Sequence, residues 1–214
     1  MEKANIESAP DVRSPIFAVA LPGVGNIGLI ALGLLLKFSD GKKFAHYHNK
    51  NFPDYVIVEE NGLCHLPGFD FYASKSVEPN IVLAMSDTPI ISEEPKSYYD
   101  VLDEIVRFAL ELNSSILVAV DGVAAVGGKT DSIHIVATAK ELVTDFKKYG
   151  AHSYEAPSLP SAVGLLVGLS QRHGLRGVGL LGNAASSLPD SEAGQRMYDF
   201  LIRALHITKI NTPV

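Results

Sequence analysis

Short apolar runs alternate along the chain with longer segments in which apolar residues recur every three or four positions. The runs predict buried strands over residues 16–21, 55–58, 81–85, 116–120, 133–137 and 177–181. The periodic segments predict helices over residues 98–112, 139–146 and 193–204. Strands that alternate with helices of this length are typical of a largely parallel sheet covered on both faces. The pattern therefore predicts an α/β fold, a three-layer α/β/α sandwich whose central sheet is mostly parallel or mixed.

One stretch of this pattern, residues 14–36, contains no charged side chain. A transmembrane helix needs about 20 mainly apolar residues, so the length alone is compatible with a membrane span. Pro22 and Gly23 interrupt the stretch, however, where a spanning helix requires continuity. The stretch instead predicts the first strand, a glycine turn and a helix over about residues 26–38 that is buried on nearly all sides. No membrane role is expected.

The composition is that of one globular domain. The chain has 214 residues, 47% of them apolar, and a chain of this length buries roughly 70% of its unfolded surface around a single core. We expect one domain over residues 1–214, with its core at about 15–206 and short flexible tails. The 24 acidic residues exceed the 18 basic ones, and the net charge of −6 argues against nucleic acid as a partner. The single cysteine, Cys64, cannot form an internal disulfide, as is typical of a cytoplasmic protein.

The turn after the first strand has the sequence Gly23-Val24-Gly25-Asn26-Ile27-Gly28. A G-x-G-x-x-G sequence between a strand and a helix is found in dinucleotide-binding folds, where a pyrophosphate approaches the helix N-terminus. Those folds also place an acidic residue about 20 positions later to bind the ribose, and residues 44–50 contain none. Close packing of the helix against the strand is therefore the favoured interpretation of the glycines, and no cofactor is expected.

Ligands of open α/β sheets bind outside the carboxyl ends of the strands, so the residues that follow the predicted strands are candidates for a binding site. They are Gly23, Gly25, Asn26, Asp87, Asp121, Gly122, Gly182 and Asn183. These residues are candidates for the lining of one crevice that binds a small molecule. Asp, Asn and Gly are also ordinary turn residues, and a purely structural role is the favoured interpretation.

No catalytic or metal-binding residue is predicted. His46 and His48 are two positions apart, which places them on one face of a strand. Two imidazoles on one face are potential metal ligands, but no cysteine or acidic residue accompanies them at the spacing of a metal-binding motif. Exposed or partly buried histidines without a metal are the favoured interpretation.

A second uncharged stretch, residues 157–171, predicts another helix with apolar residues on more than one face. A chain of this size buries one such helix easily. The presence of two predicts that part of their surface contacts another subunit, and we therefore expect a homo-oligomer.

Three segments of the chain follow one another in a recognisable order. They are the turn Pro22–Gly28 after an apolar strand, Leu66-Pro67-Gly68 before an aromatic pair, and the run from Gly164 through Gly174 to Gly182. Together they resemble the proteasome assembly chaperone family, in its archaeal and bacterial branch, over about residues 15–206. The resemblance implies a fold like that of the nucleoside phosphorylases, a homo-oligomer, and a role in assembling proteasome subunits or related complexes without catalysis.

The C-terminus departs from one pattern of that family. Archaeal members that dock onto the proteasome ring end in a hydrophobic residue, a tyrosine and any residue, whereas this chain ends Asn211-Thr212-Pro213-Val214. Pro213 stands at the tyrosine position, so insertion of the tail into the ring is not expected.

A second function stays open from the residues alone. A crevice at the strand ends would suit a phosphorylase or hydrolase acting on small, nucleoside-like molecules. Such an enzyme needs an acid or base within hydrogen-bond reach of the reacting group, and Asp87 or Asp121 would supply it.

Overall fold

The computed structural model describes residues 4–6, 10–90, 95–125 and 130–210, with residues 4–6 and 95–97 described as backbone only. The strands are β1 (Ala4–Ile6), β2 (Ile16–Ala20), β3 (Lys42–Tyr47), β4 (Ile57–Val58), β5 (Cys64–His65), β6 (Phe69–Ser74), β7 (Val77–Glu78), β8 (Ile81–Met85), β9 (Ile116–Ala124), β10 (Ile133–Ala137), β11 (Ala151–Ser153), β12 (Gly177–Ala184) and β13 (Thr208–Lys209). The helices are α1 (Ile27–Ser39), α2 (Pro95–Glu111), α3 (Lys140–Lys147), α4 (Ala162–Arg172) and α5 (Ser191–Ala204). The C-terminal residues 211–214, Pro213 among them, lie outside the described residues.

Nine of the described strands form one mixed sheet, in the order β1-β3-β6-β8-β2-β9-β12-β10-β11. Its centre, β8-β2-β9-β12, is parallel. On one side β6, β3 and β1 follow as antiparallel strands, and on the other β10 runs antiparallel to β12. The predicted α/β fold is confirmed, and of the two sheet types that the sequence allows, the mixed one is observed.

The pattern of apolar runs does not predict β3 or β6. One strand that it does predict is shorter than expected and lies outside the main sheet. In β6, Phe69 and Phe71 are buried while Asp70 and Tyr72 between and after them are partly exposed, so this strand has an alternating pattern instead of an apolar run. The strand predicted at residues 55–58 is reduced to β4, which pairs with β5 in a two-stranded sheet apart from the main one.

The two faces of the main sheet carry separate apolar cores. On one face α1, α3 and α5 share a core with Ala18 of β2 and Val118 of β9. On the other face α2 and α4 pack against Phe17 and Leu117 of the same strands. Neighbouring positions along a strand belong to opposite cores because strand side chains alternate between the two faces. The helices predicted at residues 98–112, 139–146 and 193–204 are confirmed as α2, α3 and α5.

The uncharged stretch at residues 14–36 forms β2, the glycine turn and α1, as the sequence predicts. In α1, Ile27, Ala31, Leu32 and Leu35 are fully buried between the sheet and α5. The other uncharged helix, α4, packs against α2 and the sheet. Both apolar helices are thus largely covered within one chain. Within the described ranges, no helix has the length and apolar character that crossing a membrane requires.

Candidate functional site

The turn between β2 and α1 packs directly onto β9, and glycines permit this close approach. A Cβ atom at Gly28 would lie 2.2 Å from the carbonyl oxygen of Val120, and one at Gly122 would lie 1.9 Å from the carbonyl oxygen of Val24. Both contacts are with backbone atoms, which cannot move aside as the end of a flexible side chain can. These glycines therefore set the distance between the turn and the sheet, in agreement with the interpretation that the sequence favours.

The turn itself contains two left-handed residues. Gly25 has φ +65° and Asn26 has φ +49°, values that suit glycine and that asparagine tolerates. The carbonyl oxygen of Gly25 accepts a hydrogen bond of 2.9 Å from the backbone N–H of Asp190. The Asp190 carboxylate caps α5 by accepting from the N–H of Ala193 at 2.9 Å, and this backbone hydrogen bond is the main reason why its pKa is lowered. The start of α5 is thereby tied to the glycine turn.

Asp121 lies beside the turn, near the carboxyl end of β9. Its Oδ1 accepts a hydrogen bond of 2.6 Å from the N–H of Gly122. The same oxygen is 1.9 Å from the point that a Cβ atom at Gly23 would occupy, so the carboxylate lies against that glycine. Burial raises the pKa of Asp121 to about 6. A pyrophosphate approaching Gly23 would meet this carboxylate, and the repulsion makes the turn poorly suited to a dinucleotide.

A cavity of about 210 Å³ opens beside Asp121 on the face of the sheet that carries α2 and α4. Its walls include the apolar side chains of Ile90 and Leu166 and the aromatic ring of Tyr98. Among the described residues no cation acts on the Asp121 carboxyl, whose pKa responds only to burial and to the Gly122 N–H. The cavity therefore combines apolar and polar walls with one uncompensated acidic group.

Two of the eight candidate residues, Asp87 and Asn183, lie in cavities other than the one beside Asp121. Asp87 lies in a separate cavity of about 260 Å³ on the α1 face of the sheet. The alternation of strand side chains explains this, because Met85, two residues before Asp87, packs in the α1 core, whereas Ala119, two residues before Asp121, packs in the α2–α4 core. Asn183 lines a third cavity, of about 490 Å³, beside β10 and β11.

The other six candidates lie together around the turn: Gly23, Gly25, Asn26, Asp121, Gly122 and Gly182. Gly182 is the register partner of Gly122 across β9 and β12, and a Cβ atom there would lie 3.1 Å from the Ile27 side chain. Five glycine and asparagine positions are explained by the packing of turn, helix and sheet. Ligand binding by these residues stays a prediction, with Asp121 as the only charged group among them.

Sequence reasoning misses a polar cluster beside Asp87, because the cluster lies on the unpredicted strands β3 and β6. Asp70 Oδ1 accepts hydrogen bonds from Nδ1 of His46 and from Nζ of Lys43, each at 2.7 Å, and Asp70 Oδ2 accepts from the Tyr72 hydroxyl at 3.3 Å. Burial alone would raise the pKa of Asp70, but the contacts with His46 and Lys43 outweigh it and lower that pKa below its usual value. Asp70 is therefore an ionised acceptor at neutral pH.

His46 and His48 do not share a site. His48 Nδ1 donates to the carbonyl oxygen of Pro67 at 2.7 Å, whereas His46 Nδ1 is bonded to Asp70. In the described part of the chain no three histidine, cysteine, aspartate or glutamate side chains are arranged to hold a metal ion.

The small sheet of β4 and β5 forms a surface feature that we call the apolar hairpin, residues 55–66. Its two strands pair only with each other, Ile57 with His65 and Val58 with Cys64. Of the seven large apolar side chains that are strongly exposed in the described residues, five lie on this hairpin: Tyr55, Val56, Val58, Leu63 and Leu66. A single apolar residue on a surface needs no explanation, but a cluster of this kind is typical of a contact with another protein.

The comparisons with known proteins agree with this fold. The model of the PAC2 family matches residues 17–213 of the chain. An uncharacterised protein of Methanocaldococcus jannaschii is 24% identical over 197 residues, which make up 91% of this chain and 75% of that protein.

Two crystal structures from Pyrococcus furiosus are similar over 99% of this chain, each with 23% sequence identity. PbaB, an archaeal proteasome activator, has a TM-score of 0.85, with 92% of its chain covered. PbaA, an archaeal homolog of proteasome-assembly chaperone, has a TM-score of 0.79, with 84% of its chain covered. Their fold is shared from one end of this chain to the other.

Proposed function

Because the chain belongs to the PAC2 family, we propose that it is a non-enzymatic assembly chaperone or scaffold, with proteasome subunits or a related complex as its clients. The family match confirms the resemblance that the sequence indicates. A role connected with the proteasome is supported by PbaB, an archaeal proteasome activator, and by PbaA, an archaeal homolog of proteasome-assembly chaperone.

The observation that carries this proposal is the exposed apolar hairpin. An isolated two-stranded hairpin is marginally stable in water at best, and this one leaves Val58 63% and Leu63 66% exposed. Covering such a patch removes apolar area from water, at about 25 cal/mol for each Å². The hairpin is thus the surface of the described residues that gains most from docking against another protein.

Charged residues around the patch suggest the character of the client surface. Asp54, Glu59 and Glu60 are exposed at and beside the hairpin, and they form an acidic rim around its apolar residues. Complementary charges at a rim steer encounter and set the register of a complex. A client surface with an apolar centre and basic residues around it would match.

Self-association and location are further parts of the proposal. The homo-oligomer that the resemblance implies is part of the proposal, but α1 and α4 are largely covered within the chain and leave little surface for its interface. Cys64 on the hairpin is exposed and makes no disulfide, which fits a location in the reducing cytoplasm.

Capture of purified proteasome α subunits by the immobilised protein tests the proposal. The double variant Val58→Ser/Leu63→Ser removes apolar area from the hairpin, and Leu188→Ser is the matched control, because Leu188 is 72% exposed but lies outside the hairpin. We expect wild type and the control to capture α subunits equally, and the double variant to bind at least about tenfold more weakly, as loss of a central contact does. Equal capture by all three proteins, or capture no greater than by an unrelated acidic protein, would contradict the proposal.

A further inference from the structure

The cavity of about 260 Å³ on the α1 face, lined in part by Asp87, has the make-up of a small-ligand site. Leu29 of α1 and Met85 of β8 supply apolar walls, and His46 and Asp87 supply polar ones. His65, on the apolar hairpin, forms the outer wall, with its ring edge-on to that of His46 and 5.7 Å between the centroids. The site is thus built from the sheet, from α1 and from the hairpin.

The hydrogen bond to Asp70 fixes the orientation of the His46 ring. The second ring nitrogen, Nε2, is not used by that bond. The Asp70 carboxylate can only accept hydrogen bonds, so the His46 Nδ1 that contacts it at 2.7 Å carries the proton. In the neutral ring Nε2 is then an acceptor. This atom is buried and has no hydrogen-bond partner among the described residues. Buried polar atoms are satisfied in the great majority of cases, so an unsatisfied one points to a donor supplied from outside the chain.

The charges around the cavity indicate the charge of the ligand group that supplies this donor. The negative charge of Asp70 is matched by Lys43 at 2.7 Å. Asp87 is exposed and takes part in no ion pair within the described ranges; its Oδ1 accepts only from the Thr88 hydroxyl, at 3.1 Å. Of the two carboxylates that line the cavity, Asp70 is thus paired with a cation, and Asp87 supplies an excess of negative charge. This excess repels an anion and attracts a cation that carries hydrogen-bond donors.

We propose that this cavity binds a primary alkylammonium group, from a free aliphatic amine or from a lysine side chain. His46 Nε2 accepts one of its N–H groups, Asp87 faces its positive charge, and Leu29 and Met85 contact its methylene groups, as apolar walls do for the stem of a lysine. Because Nε2 is shielded, the ligand enters as His65 moves outward with the hairpin. Asp70 is a positioning residue that fixes the tautomer of His46.

Titration of the ¹⁵N-histidine-labelled protein with n-butylammonium at pH 8, followed by NMR of the imidazole nitrogens, tests this site. At that pH butylammonium keeps its charge, as a lysine side chain does, and the His46 signal is identified by its absence in His46→Gln. We expect a saturable shift of His46 Nε2, with His134 and His152 unchanged. The neutral isostere n-butanol is expected to give no saturable shift.

The variant Asp87→Asn is expected to weaken butylammonium binding about tenfold, the effect of losing one charge-assisted contact. Asp87 is exposed, so the variant should fold normally, and Glu141→Gln on α3 is the matched exposed control. Unchanged affinity in Asp87→Asn, equal shifts with n-butanol, no saturable shift of His46, or a larger shift with acetate would each overturn the proposal. In a second arm, Nα-acetyl-lysine methylamide distinguishes the sources: tighter binding than butylammonium assigns the site to a lysine of a partner, and weaker binding assigns it to a free amine.

Discussion

Two regions are rich in apolar residues: the segment around the glycine turn between β2 and α1, and the apolar hairpin. The first buries its apolar side chains within the fold, whereas the second exposes them. At the turn, Gly28 brings α1 against the backbone of Val120, and α5 is tied to the same place through Asp190. The apolar side chains of Ile27, Ala31 and Leu32 that follow the turn are fully buried. At the hairpin, β4 and β5 pair only with each other, and Val58 and Leu63 face outward.

The difference lies in what surrounds each segment and not in its composition. Residues 14–36 contain β2, a central strand of the nine-stranded sheet, and most of α1, which packs between that sheet and α5. Residues 55–66 are inserted between β3 and β6 and form a separate two-stranded sheet. One apolar segment therefore stabilises the chain itself, and we interpret the other as available to a second protein. Substitutions in the two regions should accordingly have opposite consequences for stability and for binding.

The largest expected effect on stability is that of Gly28→Ala. Its Cβ atom would lie 2.2 Å from the Val120 carbonyl oxygen, so the turn and the sheet must separate. We expect the free energy of unfolding to fall by about 3 kcal/mol, the upper part of the range for overpacked sites. Gly33→Ala in the same helix is the control, because a Cβ atom there meets no described atom within 4 Å. It should be neutral or stabilising by up to about 1 kcal/mol, as measured by urea unfolding. Equal effects of the two substitutions on the free energy of unfolding would contradict the claim that Gly28 permits the close approach of α1 to β9.

The second largest expected effect is that of Asp121→Asn, beside the same turn. This substitution is expected to raise the free energy of unfolding, whereas Gly28→Ala lowers it. Burial raises the pKa of Asp121 from 3.8 to about 6, so the folded state binds this proton more tightly than the unfolded state. Ionisation of Asp121 therefore costs stability as the pH rises from about 4 to about 6, and the cost is complete above that range. With about 1.4 kcal/mol for each unit and allowance for partial exposure, we expect Asp121→Asn to stabilise the protein by about 2 kcal/mol at pH 8.

The pH dependence of this gain is the sharper test. Below about pH 4 the carboxyl is protonated in both states, so the variant and wild type should differ little. Chemical unfolding at pH 3.5 and at pH 8 measures the difference. A gain of the same size at both values would show that packing, and not the charge, is responsible. A gain confined to high pH would mean that the chain retains an acidic group at the cost of stability, as functional sites do.

The smallest expected effect on stability belongs to the apolar hairpin. Val58→Ser/Leu63→Ser should change the free energy of unfolding by no more than about 0.5 kcal/mol for each substitution, as is usual for exposed positions. The same double variant is expected to lose client binding. A loss of several kcal/mol in urea unfolding would instead show that the hairpin belongs to the core, and the contrast between the two regions would disappear.

The sequence predicts the centre of this fold well and its surroundings poorly. Strands β2, β8, β9 and β12 are buried on both faces, so they appear in the sequence as continuous apolar runs. The glycine turn is predicted because Pro22 and Gly23 interrupt such a run. Strand β6 is missed because only every second residue, Phe69 and Phe71, is fully buried. An alternation of apolar and polar residues at 69–72 is the signal that would have identified it.

The candidate site shows the same limit. Asp121 lies within β9 and Asp87 follows β8, and the sequence does not reveal that the two face opposite sides of the sheet. That depends on the register of each strand, in which one residue more or less reverses the face. Nor does the apolar run at 55–58 reveal that it stays exposed, because exposure is decided by the layers around a segment.

Hydrogen–deuterium exchange of the protein alone and in complex with proteasome α subunits tests the central claim most directly. Peptides covering residues 55–66 are expected to exchange rapidly in the free protein, because a two-stranded exposed hairpin opens easily, and to become protected in the complex. Peptides covering the glycine turn and α1 should be protected equally in both. Protection that appears elsewhere while residues 55–66 continue to exchange at the free rate would contradict the assignment of the apolar hairpin as the docking surface.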